Sequence, residues 1–350
     1  MYKRRKSRKV FFADQPIGGD SPISVQSMCN TKTADVKKTV AQIKELEKAG
    51  CEIIRAAVPD QESAEALSKI KENISIPLVA DIHFDYRLAL KSVENGVDAL
   101  RINPGNIGSD KRVKEVALAC RKNNVPIRVG SNSGSLEEEL LEKYGGPTAE
   151  ALVESALRNV RILEENEFYD IVISLKSSSI LTTLEAYSLM AEKVDYPFHI
   201  GITEAGTPWR GTIKSAAGIG SLLAQGFGDT LRVSLTGDPV EEVKVGWQIL
   251  KSLELRRRGV EIISCPTCGR TNIDLIGLAE KVEKALAGID KDITVAVMGC
   301  AVNGPGEARE ADIGIAGGIN EGIIFKNGEI IKKVKEEELL EELIKEVKKL

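Results

Sequence analysis

Aromatic residues are scarce in this chain of 350 residues, at 4%, and histidine is scarcer still, with two. Single-stranded nucleic acid is usually held by aromatics interleaved with basic residues, and that footprint is missing. Cysteine is sparse as well. Six thiols in a chain this long are too few for a disulfide scaffold, and their pattern predicts a reducing, cytoplasmic compartment. No apolar run approaches the length that spans a bilayer, so no membrane association is expected. An excess of one charge is lacking too. The 48 Lys+Arg stand against 52 Asp+Glu, which gives no general drive towards nucleic acid or membrane surfaces and makes any anion site a local one. The start, MYKRRKSRKV, has the charge of a signal peptide's first region, but VFFADQP is too short and too soon broken to be its apolar segment. A solvated basic arm or a first strand is expected there.

What is present is an alternation. Short β-branched runs occur at VQSM (25–28), IIRAAV (53–58), LVADIH (78–83), ALRINP (99–104), IRVGSN (127–132), IVISLK (171–176), FHIGIT (198–203) and LRVSL (231–235). Between them lie amphipathic helical patterns, as at 35–49, where Val36, Val40, Ile43 and Leu46 recur, and at 149–165, where Leu152, Ala156, Val160 and Leu163 do so. Eight strand–helix units in about 250 residues predict a (β/α)₈ TIM barrel over residues 1–258, its last helix at 239–256 running into RRRG. A doubly wound open sheet competes, but it usually has fewer strands and a Gly-rich turn after the first, which VQSMCNT lacks. Residues 259–350 read as a smaller α/β domain: strand VEIIS, the CPTC turn, helix 273–287, strand ITVAVM, the loop GCAVNGPGEA, strand IGIAG, a hairpin around Lys326-Asn327-Gly328 and a terminal helix.

The second domain carries the most specific chemistry. Cys265 and Cys268 form CPTC, Cys300 sits in MGCAVNGPGEARE, and Glu307 follows seven positions after it. Soft thiolates hold iron–sulfur clusters or zinc, and an oxygen ligand in the fourth position would leave one metal exchangeable. A closed zinc site needs a second ligand pair, but only Cys300 follows, and both histidines, His83 and His199, lie in the barrel sequence. Glu307 is the best fourth ligand at hand. On spacing alone, iron–sulfur and zinc stay level, with a thiol–disulfide pair at Cys265 and Cys268 as a third reading. Cys51 and Cys120 read as packing residues, and Cys29 falls just after the first strand with nothing to pair it.

Reacting groups in such barrels gather at the C-terminal ends of the strands. There the sequence places Arg55, Arg101 with Asn103, Arg128 with Asn132, Lys176, and Arg232 with Ser234. Cations inside β-branched runs are costly to bury alone, so five of them suggest one shared anion, and a diphosphate suits them. The loop SNSGS at 131–135 adds backbone N–H donors. A structural ion network with Asp81, Glu204 and other carboxylates is the plain alternative. Asp81, His83, His199 and Glu204 are the candidate proton donors or acceptors.

From PISVQSM through ADIHF, LRINPGN, VGSNSGS and ITEAG to CPTCGR and MGCAVNGPGEARE, the chain resembles the 4-hydroxy-3-methylbut-2-enyl diphosphate synthases of the non-mevalonate isoprenoid pathway, in their short two-domain form. The resemblance implies a 4Fe-4S cluster on Cys265, Cys268, Cys300 and Glu307. It implies reductive opening and dehydroxylation of 2-C-methyl-D-erythritol 2,4-cyclodiphosphate, with two electrons from reduced ferredoxin or flavodoxin. Arg55, Arg101, Arg128, Lys176 and Arg232 would hold the diphosphate with Asn132 and Ser234 beside them, while His83, Asn103, Asp81 and Glu204 would complete the pocket. Glu204 is then the candidate acid for the departing oxygen, with Asp81 second and Glu307 at the cluster. A head-to-tail homodimer, the cluster domain of one subunit closing the barrel of the other, is also implied. Two rival classes remain: a zinc-stabilised RNA-binding or RNA-modifying protein using the basic start, and a phosphate-binding barrel lyase or aldolase with a structural cluster.

Overall fold

Short runs of β-branched residues, buried on both faces, form parallel strands that need helical crossovers between them. In the computed structural model, which describes residues 3–271, 273–289, 291–300, 306 and 308–350, these strands build the first of two compact units, Met1–Arg256 and Arg257–Leu350. An antiparallel hairpin, β1 (Val10–Phe12) and β2 (Gln15–Ile17), comes first. The barrel strands follow: β3 (Ser24–Met28), β4 (Ile53–Ala57), β5 (Leu78–Asp81), β6 (Ala99–Ile102), β7 (Ile127–Asn132), β8 (Ile171–Lys176), β9 (His199–Ile200) and β10 (Thr230–Leu231).

Their order around the sheet is β8-β7-β6-β5-β4-β3-β10-β9. A parallel bridge from Ile173 to Phe198, with the Ile173 N–H donating to the Pro197 carbonyl at 2.9 Å, joins the two ends and closes the ring. The last two strands are shorter than the runs FHIGIT and LRVSL suggested. At Gly201 a Cβ would stand 2.6 Å from the Arg232 carbonyl oxygen, so here the two chains leave the ladder but stay in contact through a residue without a side chain. Among the described residues the crossover helices include α1 (Val36–Ala49), α2 (Gln61–Lys71), α3 (Tyr86–Glu94), α4 (Asp110–Lys122), α5 (Glu138–Tyr144), α6 (Ala149–Glu165), α7 (Ile180–Ala191), α8 (Pro208–Ala224) and α9 (Pro239–Ser252). Asp35, Asp60, Asp85, Thr148, Ser179 and Asp238 cap six of them by accepting first-turn N–H groups.

The basic start leads into a first strand, β1, and its arginines are tied to the barrel. Arg4 pairs with Asp229 at 2.6 Å, the Arg5 guanidinium stacks 3.9 Å from the Phe198 ring centroid, and the Arg8 N–H donates to the Asp195 carbonyl at 2.8 Å. The hairpin behind it packs Val10, Phe12 and Ile17 against Ile53, Val79, Ala99 and Val172, which stand at the beginnings of four barrel strands. This plug closes the N-terminal end of the barrel.

The second unit is a five-stranded sheet in the order β11-β12-β13-β14-β15, made of β11 (Glu261–Ser264), β12 (Thr294–Met298), β13 (Ile313–Gly317), β14 (Glu321–Lys326) and β15 (Glu329–Lys335). The first three are parallel and the last two antiparallel. Asn327 and Gly328 turn the final hairpin at φ +48° and +82°, the backbone of a type I′ turn. Helices α10 (Leu275–Leu286) and α11 (Leu339–Lys349) bury Leu275, Val282, Leu286, Leu339, Leu343 and Val347 over Val295, Val297, Ile313 and Ile315. Among the described residues no helix is long and apolar enough to cross a membrane.

Both tryptophans, Trp209 and Trp247, lie in the first unit, so their fluorescence reports on the barrel. Phe12→Ala is expected to lower the barrel's stability to urea by roughly 3–5 kcal/mol, since the plug cannot collapse into the ring of strand starts it fills. A loss below about 1 kcal/mol would show the hairpin to be dispensable.

Candidate active site and thiol centre

Strand register assembles the charges at the open end. In the parallel ladders Asp81 stands beside Arg101, and Arg101 beside Arg128. Arg55, on β4, is buried and points its guanidinium at the Met28 sulfur, with Nε at 3.1 Å and Nη2 at 2.8 Å. Its Nε also lies 3.6 Å from Asp81 Oδ2, while Arg101 Nη1 donates to Asp81 Oδ1 at 3.3 Å. A Cβ at Gly130 would meet Arg101 Nε and Nη2 at 3.2 Å, so glycine leaves room for that guanidinium across the strands. Arg232, just after β10, pairs with Glu242 of α9 through Nη2, 3.2 Å from Oε2 and 3.3 Å from Oε1. Arg128, 1% exposed, donates through Nη1 to the Gln26 side-chain oxygen.

The balance is lopsided. Arg55, Arg101, Arg128, Lys176 and Arg232 converge against two buried or nearly buried carboxylates, Asp81 and Glu242. Among the described residues neither Arg128 nor Lys176 has a carboxylate within salt-bridge distance. Burial, opposed by Asp81, brings the Arg55 guanidinium down to about 10. Burial and the surrounding guanidinium groups push Arg128 and Lys176 well below their ordinary values. Burial alone would raise Asp81, but Arg55 and Arg101 outweigh it and hold the carboxyl below the usual range. Asp81 is therefore an ionised charge partner that aims two arginines, a position that suits it poorly to the role of second-choice acid.

The other sequence candidates lie around this cluster. His83 is largely exposed on the loop after β5, its Nε2 3.9 Å from Asp81 Oδ2. The Asn103 side chain accepts the Gly130 N–H at 3.1 Å, and Asn132 caps the turn after β7 by accepting from Gly134 N–H at 3.0 Å. Ser234 is half-buried three residues beyond β10. Glu204 is exposed on the loop after β9 at φ +51°, its carbonyl accepting from Lys214 Nζ at 3.3 Å. His199 is fully buried, with Nδ1 2.6 Å from Thr230 Oγ1, and burial together with Arg128 and Lys176 pushes it well below its ordinary value, so it is neutral. Cys29 and Cys51, both buried, are pushed up to about 12, and burial raises Cys120 further, which leaves them as inert packing groups.

Two residues escaped the sequence reading. Glu242 belongs to the apolar-periodic face of α9, yet it is 4% exposed and also accepts from Leu235 N–H at 3.0 Å and Ser27 Oγ at 3.3 Å. Gln26 sits mid-strand in β3 and is 1% exposed. A polar residue at an inward strand position was the available signal for it.

In the second unit the parallel pair β11 and β12 releases Cys265 and Cys300 from the same end of the sheet. The Gly299 N–H donates to Cys265 Sγ at 3.2 Å. Cys268 closes a turn with Thr271, the Thr271 N–H donating to its carbonyl at 3.0 Å and its own N–H donating to Thr271 Oγ1 at 3.3 Å. A Cβ at Gly299 would lie 2.9 Å from that same Thr271 Oγ1, so glycine lets the CPTC turn and the end of β12 meet. Hydrogen bonds from Arg270 hold the Cys268 thiol below its ordinary value. Three thiols at one sheet end are the right donors for a soft-metal centre, although among the described residues no three His, Cys, Asp or Glu side chains are grouped closely enough to hold an ion. Glu307 lies outside the described residues.

The GcpE TIM-barrel domain matches residues 7–247 and the GcpE protein C-terminal domain matches residues 261–349. A protein of Clostridium perfringens named 4-hydroxy-3-methylbut-2-en-1-yl diphosphate synthase (flavodoxin) is 65% identical over 98% of each chain. The chain belongs to the GcpE family. A protein of the same name from Caldanaerobacter subterraneus is 63% identical over 100% of this chain and 99% of its own. Among solved structures, dihydropteroate synthase from Stenotrophomonas maltophilia aligns with a TM-score of 0.53 at 13% identity, over 71% of this chain and 97% of that one, which speaks to the barrel fold alone.

Because its folded value is depressed, Asp81 contributes stability above its unfolded value near 4, and that contribution is lost as the pH falls through the folded value. Asp81→Asn is therefore expected to destabilise the barrel by about 3 kcal/mol at pH 7, with the gap to the parent narrowing below about pH 4. Urea titrations across pH 3–7 would check this, and a gap that stays constant with pH would remove the ionised carboxylate from the explanation.

Proposed function

We propose that this chain reduces 2-C-methyl-D-erythritol 2,4-cyclodiphosphate to 4-hydroxy-3-methylbut-2-enyl diphosphate, an oxidoreductase step of non-mevalonate isoprenoid biosynthesis. The observation that carries the substrate half of this reading is the cluster of five cations facing two carboxylates at the open end of the barrel, in a chain whose full-length relatives are diphosphate synthases. Arg55, Arg101, Arg128, Lys176 and Arg232 hold the diphosphate, each charge-assisted contact contributing roughly 1.5–3 kcal/mol, and Asn132, Ser234, Asn103 and His83 line its approach. Asp81 and Glu242 fix the arginines that they pair with.

Two electrons enter, a C–O bond of the cyclic diphosphate opens, and a hydroxyl leaves as water after taking up a proton. Glu204, exposed after β9, is the proton source we assign to that oxygen. A 4Fe-4S cluster on Cys265, Cys268, Cys300 and Glu307 supplies, when bound, electrons one at a time and a Lewis acid for the departing oxygen. The thiols at one end of β11 and β12 and the Gly299 N–H donated to Cys265 support that assignment. The relatives' names point to flavodoxin as the donor of electrons, with ferredoxin as the alternative. We place the protein in the cytoplasm as a head-to-tail homodimer, in which the partner's cluster domain closes the barrel.

Protein purified without oxygen is expected to be brown, with about four irons and four sulfides per chain, and to consume the cyclic diphosphate when given reduced flavodoxin. Colourless protein holding one zinc would overturn the reading. Cys300→Ala is expected to lose cluster and turnover together, whereas Glu307→Ala keeps part of the cluster and fails in turnover; full activity in the latter would remove Glu307 from the chemistry.

A further inference from the structure

The four arginines of the anion site do not have equivalent partners. Arg55 and Arg101 share the Asp81 carboxylate, and Arg232 has Glu242. Arg128, the largest of the fully buried side chains, has an amide: its Nη1 donates to Gln26 Oε1, reaching from β7 to β3 through the barrel interior. A buried guanidinium is costly unless its charge is met, and an amide meets only one hydrogen bond. Other buried polar atoms around it are unmet as well. Among the described residues Arg128 Nη2, Gln26 Nε2 and His199 Nε2 are all buried and without a hydrogen-bond partner, and His199, neutral and held through Nδ1 by Thr230, cannot supply the missing negative charge.

We propose that Gln26 is a positioning residue that determines the charge of the anion site: its neutral amide aims Arg128 without cancelling it, leaving the guanidinium's charge to be met by a phosphoryl group of the ligand. The inference rests on the diphosphate reading above and adds to it. A carboxylate at this position would have made the same hydrogen bond and a more stable empty barrel, with one fewer free positive charge to offer. The fold thus keeps an unmet charge where Asp81 and Glu242 would suggest a third ion pair. The unpartnered Gln26 Nε2 becomes a further donor towards the same phosphoryl oxygens.

Substitution separates charge from hydrogen bonding. Gln26→Glu keeps the acceptor and the shape but adds the charge, whereas Gln26→Met keeps the side-chain length and replaces the amide oxygen with a weak, neutral thioether acceptor. Titrating inorganic pyrophosphate calorimetrically into the full-length chain, purified without oxygen, reads affinity without turnover. Q26E is expected to bind pyrophosphate about tenfold more weakly than the parent, or worse, and to unfold at an equal or higher temperature. Q26M is expected to bind more tightly than Q26E.

A purely structural hydrogen bond gives the reverse order, with Q26E like the parent and Q26M impaired, and that result would overturn the proposal. So would a Q26E protein that fails to fold, because a carboxylate beside Arg128 must stabilise the empty barrel if that charge is unmet. Absence of pyrophosphate binding by the parent would remove the diphosphate reading and this proposal together. Normal binding by the parent with unchanged binding by Q26E would remove this one alone.

Discussion

Unmet positive charge in the barrel interior is the constraint around which the first unit is arranged. Five cations converge where two carboxylates face them, in a place where an ion pair broken by losing one partner typically costs several kcal/mol. Asp81 and Glu242 supply enough compensation for the chain to fold. They also fix guanidinium directions: Asp81 aims Arg55 and Arg101, and Glu242 ties Arg232 to the β3 hydroxyl of Ser27 and to the backbone at Leu235. What they leave over is a site whose stability deficit is relieved by an anion, a familiar exchange of stability for binding at active sites.

The rest of the barrel serves that site by closing everything else. Eight parallel strands put inward side chains in register, so that Asp81, Arg101 and Arg128 line up on adjacent strands without loops having to place them. The β1–β2 hairpin seals the opposite end with Phe12 and its neighbours. The arginines of the basic start are strapped over Asp229, Asp195 and Phe198, while Lys3, Lys6 and Lys9 beside them stay exposed. Gly130 and Gly201 mark the places where the strands would otherwise crowd the guanidinium of Arg101 or the backbone of Arg232.

Much of this was legible in the chain. Eight β-branched runs separated by 3.6-period helices correspond to the eight parallel strands, and the charged residues inside those runs are the ones found at the open end. The short β9 and β10 were not legible, because FHIGIT and LRVSL satisfy strand patterning along their length, whereas the ladder ends after Ile200 and Leu231, where Gly201 lies against the Arg232 backbone. Glu242 was hidden by its place on an amphipathic helix, where a carboxylate in the first turn is explained by the helix dipole alone. Gln26 was hidden because a period-2 reading sorts residues by hydropathy, and only the barrel's closure reveals that this amide faces an arginine on a strand far away in sequence. In the second unit the CPTC turn and the Cys300 loop were the clearest signals of all, and parallel pairing of β11 with β12 explains how residues so far apart in sequence leave the sheet at one end.

If the barrel holds more positive charge than its own carboxylates answer, an anion must stabilise it, and this is measured by the thermal midpoint of the barrel, followed by tryptophan fluorescence, in pyrophosphate and in sodium chloride of matched ionic strength. Pyrophosphate is expected to raise the midpoint progressively with the logarithm of its concentration, as a ligand of the folded state alone does, while chloride does little. A midpoint that responds equally to the two salts would show that the charges are answered within the fold and would contradict the account.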